Sequence, residues 1–214
     1  IAILLGLPLG IILGIIAAIK KNTWFDHVIS VIIVLFISVP SFVLAFFLQY
    51  FLGFKLGWFP STWPSANASL GDKFLGYFIP VLALSVGTIA SFTRYTRAEL
   101  CEVMSSDFLL LARTKGLSKN QCIVRHALRN SLVPIIPMII GQFVGILSGS
   151  MVLEQLYGIP GIGSLFVKCI NLKDYNVLLV DMAVYTVIGL FANLLVDLSY
   201  GIVDPRIRMG AKAA

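Results

Sequence analysis

The chain has 214 residues, of which 58% are hydrophobic and 12% charged, and its net charge is +6. Soluble domains carry roughly 25% charged residues, and a domain of about 150 residues still leaves ~30% of its unfolded surface in water. A soluble enzyme, a polar binding module and a disordered chain are excluded, and a polytopic membrane protein is expected, its basic excess belonging to loops rather than to nucleic acid.

Crossing a bilayer takes about 20 apolar residues at 1.5 Å each. Five stretches qualify, near 1–19, 30–52, 74–93, 132–153 and 176–199. Lipid offers no partner to an unpaired backbone group, so all five are expected to be helices. The fold class is all-α, one membrane domain over 1–214. Span one carries Gly6, Gly10, Gly14 and Ala18 at every fourth position, on one face where backbones can approach closely. Pro8 and Pro40 predict kinks. Between spans two and three, Trp58, Phe59 and Trp63 fit an interfacial aromatic belt. Span four repeats the small-residue stripe with Gly141, Gly145 and Gly149. Plain helix packing explains both stripes, and a sliding interface during gating is the functional alternative. After span four, Gly158, Gly161 and Gly163 lack the spacing and the Lys-Ser/Thr of a phosphate-binding loop.

Polar groups inside spans mark pathways. The candidates for a pathway or gate are Gln49, Gln142, Asp181 and Asn193, with Asp197 near the end of span five. The carboxylate pairs and broken midplane helices of a gradient-driven secondary transporter are poorly represented. Cys101, Cys122 and Cys169 suggest no disulfide or metal site by number, spacing or compartment. His27 and His126 lack partner ligands and read as structural.

Lys and Arg set the orientation. Lys20, Lys21, Arg94, Arg97, Arg113, Lys115, Lys119, Arg125, Arg129, Arg206, Arg208 and Lys212 fall on one side, against Lys55, Lys73, Lys168 and Lys173 on the other. The twelve belong in the cytoplasm, with the C-terminus. Five spans and no initiating Met suggest a chain that has lost an earlier helix.

The segment 94–131 is the most informative. Ser105 or Ser106 can cap a helix with Asp107 in its first turn, and Phe108, Leu111 and Ala112 share a helical face. Arg113 and Lys115 close that helix, and Gly116 supplies a left-handed stop. Ser118 and Gln121 form a capping box that opens a second helix to about Asn130. Such an elbow suits either a cytosolic partner or anionic lipid.

The stretch DFLLLARTKGLSKNQCIVRHALRNSLVPIIP resembles the cytoplasmic signature of bacterial ABC-importer permeases. More narrowly, it is similar to the oligopeptide/dipeptide/nickel permease family. The residues are Ala112, Arg113, Lys115, Gly116, Leu117 and Ser118, then Arg125 to Asn130 and Pro134. An outer segment with Glu154, Tyr157, Gly158, Pro160, Gly161, Ile162 and Gly163 matches too, as does a tail with Asp197, Tyr200, Asp204, Pro205, Arg206 and Arg208. The general motif begins Glu-Ala-Ala where this chain has Leu110, Leu111 and Ala112, a looser form that the peptide branch shares.

The resemblance implies a six-span permease fold in a bacterial or archaeal inner membrane and no catalysis by this chain. It implies a second homologous permease subunit, two cytosolic ATPase subunits that use ATP and Mg, and an extracytoplasmic substrate-binding protein. This chain would bind no cofactor and no nucleic acid. Phe108, Leu111, Ala112, Arg113, Lys115, Gly116, Leu117 and Ser118 would dock the ATPase. Peptides lead as cargo, with nickel or another small polar solute as the alternative.

Overall fold

The computed structural model describes residues 1–147 and 150–203. Gly149, the tail residues Asp204, Pro205, Arg206 and Arg208, Lys212, and the side chain of Lys119 lie outside the described residues.

Every element among the described residues is helical. In chain order they are α1 (Ala2–Ile19), α2 (Trp24–Ser38), α3 (Ser41–Leu48), a π-helical stretch (Gln49–Lys55), α4 (Leu70–Met104), α5 (Asp107–Thr114), α6 (Lys119–Cys122), a second π-helical stretch (Ile123–Ala127), α7 (Leu128–Ser131), α8 (Ile135–Leu147), α9 (Met151–Tyr157), α10 (Ile162–Leu172) and α11 (Tyr175–Val203). By length and composition three helices can cross a membrane, namely α1, α4 and α11, and five spans result if each of two bent pairs counts as one.

The first bent pair is α2 with α3 and its π-helical extension, at 94°. Pro40 is the cause, since it has no N–H and forces its predecessor out of the helical region, and Val39 is extended at ψ 120°. The chain does not turn back at the break. Asp26 before it meets Arg97 of α4, Ala45 after it joins Ile79 and Ala83, and the loop beyond stacks Phe59 on Phe78 and Trp63 on Tyr77 at 4.4 and 4.5 Å. Phe59 and Trp63 are therefore packed against α4, whereas Trp58 is largely exposed. The second bent pair runs from Asn120–Ser131 into α8, at 51°. Broken helices are thus more prominent than the hydropathy pattern suggests.

The spine is α4 against α1. Gly6, Gly10 and Gly14 face Thr88, Phe92 and Thr96 so closely that a Cβ would stand 2.9, 2.8 and 2.6 Å from their Cβ atoms. The stripe in span one is thus a packing seam. Gly141 and Gly145 of α8 have nothing within 4 Å of where a Cβ would lie, so that stripe meets no partner in the described structure. The helix α4 does not stop where the apolar run does. It continues eleven residues past Thr93 to Met104, because those residues find partners in α2 and the elbow.

The segment after α8 is also folded. Glu154 of α9 is buried, and its carboxylate accepts from the Ser150 and Ser164 N–H groups at 3.2 and 2.7 Å. Gly161 at the start of α10 has no side chain to cap with. Glu154 takes that role, and a Cβ on Gly161 would collide with it. Gly158 ends α9 in the left-handed region at φ +68°.

Candidate functional site

The elbow consists of α5, a turn at Gly116, and the run from α6 to α7. Gly116 has φ +87°, a conformation that glycine adopts without a Cβ penalty. Both arms of the capping box form. The Ser118 N–H donates to Gln121 Oε1 at 3.0 Å, and the Gln121 N–H to Ser118 Oγ at 3.4 Å. At the other end Ser106 occupies the N-cap position of α5 but does not cap it. Its hydroxyl donates back to the Val103 carbonyl, which ties α5 to the end of α4.

The structure sorts the eight residues expected to dock a partner. Ala112 does not face outward. It is buried with Leu109, Cys122 and Ala127 against Ala18 of α1 and Leu100 of α4. Leu117 packs at the edge of that cluster. Phe108 (43% exposed) and Leu111 (56%) face out, as do Arg113, Lys115, Gly116 and Ser118. Leu110 (62%) and Val124 (64%) join this outer face and were missed by the reading of spacing. The heptapeptide DFLLLAR holds five apolar residues in succession, a run that makes both sides of α5 apolar. Val124 follows from the π-helical stretch, which shifts the side-chain register by one residue per turn.

An ion pair anchors the base of the elbow. The Arg97 Nε and Nη2 donate to Asp26 Oδ1 and Oδ2 at 2.5 and 2.8 Å, and the Asn22 N–H donates to Oδ2 at 3.0 Å. Asp26 is 1% exposed, and both residues lie outside the apolar runs 30–52 and 74–93. The Arg97 guanidinium holds the Asp26 carboxyl below the usual carboxylate range, against the upward push of burial, and the Asn22 N–H adds to the lowering.

The four pathway candidates do not converge. Gln49 is buried, and its Nε2 donates to the Ser61 carbonyl at 2.5 Å and to the Leu156 carbonyl at 3.3 Å, so it fastens the loop before α4 to α9. Beside it the Tyr157 hydroxyl donates to the Ala45 carbonyl at 2.9 Å. Asp181 is buried in α11 with its Oδ2 unpartnered. Asn193 is exposed on the same helix. Gln142 reaches from α8 to donate to Thr88 Oγ1 at 3.2 Å, beside a cavity at the α2–α3 break.

Comparison with known proteins is decisive for the family. Residues 10–209 match the model of the binding-protein-dependent transport system inner membrane component. The chain belongs to that family. This inner-membrane component is 39% identical over 99% of its length to the dipeptide transport system permease protein DppB of Bacillus subtilis (strain 168), covering 66% of that protein. It is 41% identical over 97% of its length to the DppB of Lactococcus lactis subsp. cremoris (strain MG1363), again covering 66%. The oligopeptide transport system permease protein OppB of Escherichia coli (strain K12) is 38% identical over 97% of this chain, with the same 66% covered. The chain thus spans just under two thirds of the length of these relatives. A multi-pass helical architecture in the inner membrane follows from the family and from the apolar helices.

Proposed function

We propose that the chain is a permease subunit of an ATP-driven importer, forming half of a translocation pathway for peptides. It pairs with a second homologous permease, receives cargo from an extracytoplasmic binding protein, and couples to two cytosolic ATPase subunits that hydrolyse ATP with Mg. The C-terminus and the elbow lie in the cytoplasm, where seven of the sixteen basic residues cluster over 94–131.

The single observation that carries the coupling role is the two-sided elbow. Its inner face is fixed to the ends of α1 and α4, while Phe108, Leu110, Leu111 and Val124 project outward as an apolar knob rimmed by Arg113 and Lys115. An apolar anchor in a partner's cleft carries most of a docking energy, and rim charges add orientation. ATPase closure moves the knob, and the inner face packed on the ends of α1 and α4 passes that movement to the membrane helices. The test is Leu111→Asp in the assembled importer. ATPase co-purification and ATP-driven uptake of a labelled tripeptide are both expected to fall. Retention of both refutes the docking role. Uptake into vesicles supplied with ATP but no ion gradient separates this reading from a secondary transporter.

A further inference from the structure

A cavity of about 300 Å³ lies where α2 gives way to α3, between that break, the middle of α4, and Gln142 of α8. Three observations single it out. It is bordered by irregular backbone inside an apolar run, since Val39 and Pro40 interrupt the helix and the Phe36 carbonyl has no N–H from Pro40 to accept. Such backbone is tolerated at membrane depth only where protein covers it or where it lines a watered space. The cavity bears no charge, and Ser41, Thr88, Ser91 and Gln142 supply the polar groups of an otherwise mostly apolar lining. Its hydrogen-bonding capacity is only partly used. Gln142 Nε2 donates to Thr88 Oγ1, and the Thr88 hydroxyl is spent on the Leu84 carbonyl at 3.0 Å. Among the described residues the Gln142 amide oxygen and the Ser41 and Ser91 hydroxyls keep their capacity.

We propose that this cavity is where a peptide in transit is held by its main chain, through the Gln142 amide and the Ser41 and Ser91 hydroxyls. The proposal rests on the importer reading above and names the chemistry that its pathway recognises. Apart from their two charged termini, peptides of different sequence share only their amide groups. Neutral donors and acceptors suit those groups, and the lack of a lining charge leaves acidic and basic side chains equally tolerated. A nickel ion would call for imidazole, thiolate or carboxylate ligands, which these residues do not supply. The volume matches the lower end of small-ligand sites, at about 300 Å³, which suits a short stretch of chain.

The test uses the complete importer with its partner subunits in proteoliposomes, supplied with ATP and three labelled probes, Ala-Ala-Ala, Ala-Lys-Ala and Ala-Glu-Ala. Gln142→Glu places a fixed charge in a neutral station. The Ala-Lys-Ala to Ala-Glu-Ala uptake ratio is expected to rise about tenfold over that of the unaltered importer, because a unit charge a few ångströms away in a partly buried site outweighs thermal energy. Should that variant fail to assemble, Ser91→Asp carries the same expectation. A purely structural role for Gln142 would lower all three uptakes together and leave the ratio fixed. An unchanged ratio in an assembled variant, with uptake by the unaltered importer intact, overturns this proposal alone. No ATP-driven uptake of any probe by the unaltered importer overturns the importer reading and this proposal with it.

Discussion

Gly14→Ala adds one methyl group at the tightest point of the α1–α4 seam. The new Cβ would stand 2.6 Å from Thr96 Cβ, 2.8 Å from the Thr93 carbonyl oxygen and 3.1 Å from the Arg97 backbone nitrogen. Non-bonded carbons rest at about 3.5–4.0 Å, so the helices must part by about 1 Å. Two of the three neighbours are α4 backbone and cannot swing aside. A gap of that size forfeits a quarter to a half of the dispersion attraction across it, and overpacking of this kind costs ~1–3 kcal/mol. The better helix propensity of Ala returns up to ~1 kcal/mol. The net loss is about 1–2 kcal/mol, or roughly 2–8 °C in Tm for a chain of this size. Gly87→Ala on α4 is the control, because nothing lies within 4 Å of its Cβ position. Size-exclusion of the detergent-solubilised protein after graded heating reads both melting points. If Gly14→Ala melts at or above Gly87→Ala, the seam does not hold the fold as described.

Asp26→Asn removes a charge whose partner stays behind. Because Arg97 is 29% exposed, the loss should fall below the ~3–5 kcal/mol of a fully buried pair, and a melt at pH 7 measures it. The Asp26 carboxyl titrates lower in the folded chain than in the unfolded one. Its stabilisation is therefore complete above the ordinary carboxylate value and fades as pH falls through the lowered one, so wild type and Asp26→Asn should converge in acid. Tyr157→Phe deletes a buried hydrogen bond to the Ala45 carbonyl, which keeps the Gln49 N–H as its other donor, a cost of about 0.5–1.5 kcal/mol. Faster hydrogen exchange along 41–48 would report it, and unaltered exchange would contradict the fastening role. Glu154→Gln keeps the shape of the α10 cap but removes its charge from a helix N-terminus. About 0.3–1 kcal/mol should be lost, visible as faster exchange of the Ser164 amide.

Local chemistry was readable where a residue type has one outstanding use. Gly116 in its left-handed turn, the Ser118–Gln121 box and the glycine face of α1 all follow from side chains that act on their immediate surroundings. The extent of α4 was not readable, because hydropathy drops at Arg94 while the helix continues toward Asp26, a partner 71 residues away in sequence. Ala112 was assigned outward because Phe108, Leu111 and Ala112 fit one stripe. The stripe has two sides, and only the ends of α1 and α4 decide which side is covered. Gln49 and Gln142 are equivalent by composition. Only the third dimension commits one to the carbonyls of Ser61 and Leu156 and stands the other beside a cavity.

The 35 residues of α4 form a rod of roughly 50 Å. Tyr77 and Ile79 near one end grip the outer loops, and Leu100 near the other grips the elbow. A helix is a screw as well as a rod, advancing about 100° per residue. The angular phase between outer loops and elbow is therefore set by the number of residues between the two grips. One residue inserted in the exposed face between them would turn the elbow by over a quarter circle relative to the outer face. The number of residues between the two grips thus fixes their angular relation, whichever side chains stand on the exposed face between them.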